Sequence, residues 1–156
     1  MTSVVAARAE VLKEEAVVAP VREVGCKLSG GRWYGAYDNQ YIDGPAALGI
    51  DHFVPLAEAW DSGASQWSPA ERQAYANDLD AARSLIAVSA KTSRSKADQD
   101  PTTWLPPFEG YRCQYIAGWI ATKIRWQLSI DTTGKSALAE AAAGCANAPV
   151  GVPLAR

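Results

Sequence analysis

The sequence predicts an α+β domain, on three observations. From Cys26 to Pro45 the chain sets Trp33, Tyr34, Tyr37 and Tyr41 among glycines and Asp/Asn turn formers, a pattern of short strands rather than helix. Ser68-Pro69-Ala70-Glu71 is a complete helix start, with Ser68 as N-cap, Pro69 at the first helical position and Glu71 at the third. Tyr115 to Leu128 carries Ile116, Trp119, Ile120 and Ile124 at helical period. With 156 residues, 48% hydrophobic and 21% charged, one domain with a sizeable core is expected.

In chain order, residues 2–18 mix small apolar and charged residues without Gly or Pro, which predicts a helical arm (1–20) ahead of a single domain (21–156). The arm packs on the body or stands free of it. Leu48 to Leu56 reads as a short strand entering a turn at Pro55, and Ala57-Glu58-Ala59-Trp60 as a helical start stopped by Asp61-Ser62-Gly63. The capped helix runs from Pro69 to about Leu79. Leu85 to Val88 suits a buried strand or a helical turn, and the polar stretch Ser89 to Thr103 reads as loop and helix termini. Within the helix at 115–128, Lys123 falls inside the apolar arc, so it either snorkels at the core edge or pairs with a carboxylate. A last helix is expected from about Thr132 to Ala143, ended by Gly144.

Composition removes several classes of function. Cys26, Cys113 and Cys145 have no Cys-x-x-Cys spacing, which argues against a zinc knuckle or a thioredoxin-type motif, and their pairing is open. No stretch is long and apolar enough to span a membrane. The first fifteen residues lack an apolar signal region, so the chain reads as cytoplasmic, or as a mature chain whose signal was removed. A net charge of -2 gives no global pull toward nucleic acid. Local contact would come from Lys91, Arg94 and Lys96, with Arg112 and Arg125 as further candidates, against the alternative of a solvated charged loop.

The chain has one histidine, His52, which excludes sites built on several imidazoles. It follows Asp51 and precedes the Pro55 turn. Neighbouring strand residues point to opposite faces, so the pair meets one ligand only where the chain bends. The run Ile50-Asp51-His52-Phe53-Val54-Pro55-Leu56-Ala57-Glu58-Ala59-Trp60 resembles the first motif of bacterial HNH endonuclease family proteins, and Ser93-Arg94-Ser95-Lys96-Ala97-Asp98-Gln99-Asp100-Pro101 resembles the second. Gly31-Arg32-Trp33, Trp67-Ser68, Ala76-Asn77-Asp78-Leu79, Tyr111-Arg112-Cys113-Gln114-Tyr115 and Trp119 agree in order, so the resemblance spans roughly residues 25–140.

The resemblance implies a ββα-metal core embedded among several helices, with DNA as partner and one Mg²⁺ or Mn²⁺ as cofactor. It assigns Asp51 as metal ligand and His52 as the general base that activates water, while Arg94, Lys96 and Lys123 would contact phosphates. An ordinary imidazole titrates near pH ~6.5, so His52 is available as a base at neutral pH. Two positions depart from the family pattern. Ser93 stands where an Asn ligand is usual, and Gly49 where a carboxylate is common; a hydroxyl and a glycine are poor donors for a hard cation. The metal site should be weakened, with Thr92, Asp98 or Asp100 as substitutes within reach. Asp100, before Pro101, otherwise reads as a turn residue.

Two functions follow. One is a metal-dependent endonuclease hydrolysing DNA phosphodiesters, attenuated by these departures. The other reuses the fold without metal, as a binding module or as an enzyme whose His52 and Asp51 act as acid and base on a small molecule, walled by Trp33, Tyr37, Tyr41 and Trp60. Those aromatics equally suit the core of a small domain.

Overall fold

The computed structural model describes residues 4–156 and has a mixed α+β architecture. Helix α1 (Val4–Glu14) leads into strand β1 (Ala16–Val18). The expected arm helix is therefore shorter at its C-terminal end; its residues 2 and 3 lie outside the described residues. Strand pairing takes over because Ala16 sits opposite Trp33 and Val18 opposite Arg32, and β-branched valines suit a pleated ladder. The helix packs on the body, burying Ala7, Val11 and Leu12. The Trp33 indole N–H donates to the Leu12 carbonyl at 2.6 Å, and the Glu15 carboxylate accepts from the Ala87 amide at 2.8 Å.

Strands β2 (Val21–Arg22) and β3 (Leu28–Ser29) form a small ladder, while β4 (Arg32–Gly35) and β5 (Gln40–Asp43) join β1 in a three-stranded antiparallel sheet, order β1-β4-β5. Strand β6 (Leu48–His52) turns at Pro55 into α2 (Leu56–Asp61), and α3 (Pro69–Ala76) follows. The capping box forms: the Ser68 hydroxyl accepts from the Glu71 amide at 3.2 Å, and the Glu71 carboxylate accepts from the Ser68 amide at 2.8 Å. The helix stops at Ala76, short of Leu79, because Asp78 is drawn into a buried cluster. Its carboxylate accepts from Arg125 Nε and Nη2, Trp126 Nε1 and Ser84 Oγ, at 2.8, 3.0, 3.0 and 2.8 Å.

Strand β7 (Leu85–Ser89) pairs antiparallel with β6, placing Gly49 opposite Val88 and His52 opposite Leu85. Ser89 then caps α4 (Ala90–Lys96), so part of the polar stretch expected as loop is helical. Together β6, β7 and α4 make a ββα unit. Helices α5 (Arg112–Arg125) and α6 (Thr132–Ala142) follow, and the disulfide Cys113–Cys145 ties the first turn of α5 to the segment just past α6, with Cα atoms 5.6 Å apart. Cys26 is free and exposed.

The β6/β7 pair separates two cores. Leu48, Leu85 and Ala87 face one with Val11, Leu12, Trp33 and Ile42; Val88 and Phe53 face the larger, aromatic one with Tyr37, Trp67, Tyr75, Tyr115, Trp119 and Trp126. This alternation follows from the period of two in a strand. Burial of each large side chain stabilises the fold by roughly 2–3 kcal/mol, so the pair is held firmly from both faces.

Candidate functional site at the β6–α4 junction

His52 closes β6, half-buried, with its ring stacked on Tyr75 at a centroid distance of 6.1 Å. Its Nε2 lies 3.0 Å from the carbonyl oxygen of Ala76. Ala76 is the last residue of α3, so that carbonyl has no amide partner further along the helix. A carbonyl only accepts, so Nε2 carries the proton and the neutral ring keeps its lone pair on Nδ1. Burial lowers the His52 pKa from the ordinary 6.5; the Ala76 bond and the charge of Asp51 oppose that, and Lys96 adds to it.

Asp51 turns the other way, into the protein. Its Oδ2 accepts from the Tyr37 hydroxyl at 2.6 Å and from Lys96 Nζ at 2.5 Å. Lys96 is fully buried, donating also to the His52 and Phe53 carbonyls at 2.6 and 3.1 Å. Neither expectation for Lys96, phosphate contact or a place in solvent, matches this position. It is the final residue of α4, and its stem runs inward to the Asp51 carboxylate, because an ammonium this deep needs a paired charge. Burial lowers its pKa, and Asp51 holds it up.

Ser93, one turn earlier on α4, faces Gly49. A Cβ placed on Gly49 would stand 2.9 Å from both Ser93 Cβ and Oγ, so α4 lies directly against the bare strand there. A divalent cation would need hard oxygen donors between strand and helix. The residues present do not fit one: position 49 has no side chain, the space beside it is closed by Ser93, and the Asp51 oxygen is paired with an ammonium. Among the described residues no group of three or more His, Cys, Asp and Glu could hold a metal. Nor do Thr92 and Asp100 supply one, and Asp98 is exposed beyond the end of α4. Thr92 is buried and bonded to Ser89, and Asp100 accepts from the Thr102 amide at 2.8 Å as a turn residue.

The remaining candidates scatter. Arg94 is exposed on α4, as is Lys91. Lys123 is buried between α2 and α5, donating to Glu58 Oε1 at 2.6 Å, Ser62 Oγ at 2.5 Å and the Ser129 carbonyl at 2.8 Å; it takes the carboxylate-paired alternative and does not face phosphate. Arg125 belongs to the Asp78 cluster, and Arg112 donates to the Pro106 carbonyl, so the basic patch reduces to Lys91 and Arg94. The four wall aromatics do not converge. Trp33 lies in the smaller core, while Tyr41 and Trp60 are exposed under Arg32 and Arg72 respectively. Only Tyr37 reaches the site, through its hydroxyl. The Ala76 carbonyl and the Tyr75 ring are partners the sequence reasoning missed, although the Ser68 capping box marked the helix that delivers both.

The family described as "GmrSD restriction endonucleases, C-terminal domain" matches residues 19–141, most of the chain. An "Uncharacterized secreted protein" of Arthroderma benhamiae is 41% identical over 113 residues, covering 72% of this chain and 55% of its own length. No solved structure matches. The chain thus spans about half the length of this relative. That relative overturns the cytoplasmic expectation and points to secretion, and the Cys113–Cys145 disulfide agrees, since such bonds persist in oxidising compartments. Among the described residues no helix is long and apolar enough to cross a membrane.

Proposed function

Because the chain belongs to the family of GmrSD restriction endonuclease C-terminal domains, we propose that it is a secreted hydrolase of nucleic-acid phosphodiesters, DNA foremost, with His52 as its general base. The observation that carries this reading is the bond between His52 Nε2 and the Ala76 carbonyl, which leaves Nδ1 free to take a proton. In the step proposed, Nδ1 accepts a proton from water, the resulting hydroxide forms a bond to phosphorus, and the P–O bond to the leaving oxygen breaks. The leaving oxygen takes a proton from solvent. The imidazolium that forms donates to a carbonyl at a helix C-terminus, where the helix dipole favours positive charge. Arg94, exposed on α4, is the residue proposed to contact a phosphate.

Gly49, Ser93 and the Asp51–Lys96 pair support the view that catalysis is attenuated, since the donors of a cation are replaced. The same observation favours a second reading, a nuclease fold kept as a binding module or turned to a small molecule. In that reading His52 would act without Asp51, whose oxygen is bonded inward. Plasmid nicking by the wild type and His52→Ala tests the proposal. Nicking by the wild type that the variant lacks supports a nuclease; tight DNA binding with no nicking by either supports the second reading.

A further inference from the structure

We propose that the Lys96 ammonium is the resident cation of this site, standing in the protein's own covalent structure where a bound ion would otherwise balance Asp51. An ammonium has three N–H donors and no acceptor. Here all three are matched: Asp51 Oδ2 at 2.5 Å, the His52 carbonyl at 2.6 Å and the Phe53 carbonyl at 3.1 Å. One carboxylate and two carbonyls are the oxygen set that a hard cation selects. The Tyr115 ring, 5.7 Å from Nζ, and the Tyr37 hydroxyl on the same Asp51 oxygen complete the enclosure. A second cation at Asp51 would meet the ammonium in a poorly screened interior, and like charges there repel strongly.

The arrangement also gives Lys96 a positioning role. It bonds the backbone carbonyl of His52 itself, so the end of α4 is joined to the residue whose ring reaches α3. The inference does not rest on the nuclease reading, because it concerns the charge of the folded site rather than a reaction.

Thermal unfolding with and without cation tests it independently of any activity. The wild type should melt at the same temperature in a chelator and in millimolar Mn²⁺. Lys96→Met, which keeps the stem and removes the charge, should melt lower by roughly 10 °C, since it strands a buried carboxylate. Asp51→Asn combined with Lys96→Met should recover much of that loss. Lys96→Ala, which vacates the oxygen cage, should become stabilised by Mn²⁺. Saturable Mn²⁺ stabilisation of the wild type, or a Lys96→Met protein that melts with the wild type, would overturn the proposal. Should the single variants not fold, calorimetric titration of the wild type with Mn²⁺ decides: no saturable binding is expected, and saturable binding lost in the Asp51→Asn, Lys96→Met double variant would overturn it.

Discussion

His52 Nε2 stands 3.0 Å from the carbonyl oxygen of Ala76, joining the end of β6 to the end of α3. This bond selects the tautomer, and burial sets the direction of titration. A base with a lowered pKa is neutral over more of the acid range, so activity should rise with pH to a midpoint below 6.5 and be flat through neutrality. The kcat/KM profile measures this; an ascending limb above 6.5 would count against His52 as the base. Stability should follow the same group. Its folded pKa is depressed, so its contribution is full above 6.5 and is lost as pH falls through the lower folded value, with His52→Gln removing that dependence.

Glu15 has the opposite sign. Its carboxyl is pushed up to about 7, mainly by burial, with the Ala87 amide opposing and Glu14 adding. A raised acid makes the folded state the better proton binder between 4.5 and about 7, so stability falls as pH rises through that window. Glu15→Gln should match the wild type at pH 4 and exceed it at pH 8. Glu15 as a whole residue is exposed at the edge of the body, so solvent screening limits the gain to about 1 kcal/mol. Urea midpoints at the two pH values check this, and a variant no more stable than the wild type at pH 8 would contradict it.

Ala97 follows α4 with φ 49° and ψ -130°, a conformation that suits glycine in the first central position of a type II′ turn. The Gln99 amide closes the turn onto the Lys96 carbonyl at 3.1 Å. Ala97→Gly should therefore stabilise the protein by about 1 kcal/mol, net of the extra freedom it gives the unfolded chain. Chemical unfolding reads the change directly; a loss of stability would mean that the turn favours alanine.

Local signals were legible in the sequence, and non-local ones were not. The capping box at Ser68 and the Pro55 turn depend on neighbours a few residues away, and both formed where expected. Helix α4 escaped because its buried face carries Thr92 and Lys96, four residues apart, rather than an apolar stripe. Lys96 was misplaced for the same reason: its partner Asp51 is 45 residues away, and composition alone puts a lysine in solvent. The resemblance singled out His52 and Asp51, but it could not foretell that Asp51 would turn inward while His52 reached α3.

The disulfide offers a separate test of compartment. Cys113 and Cys145 are 32 residues apart, so opening the bridge should cost about 3.5 kcal/mol of stability on loop-entropy grounds. Reductant, or Cys113→Ser with Cys145→Ser, should lower the melting temperature by roughly 10 °C. A protein indifferent to reductant would remove this support for export.

Rescue of His52→Ala by added imidazole tests the central claim most directly, with plasmid nicking as the readout. If the His52 imidazole is the base, the wild type nicks, the variant does not, and free imidazole restores nicking with a pH dependence that follows its own titration. Equal nicking by wild type and variant, or none by the wild type under any condition, would contradict it.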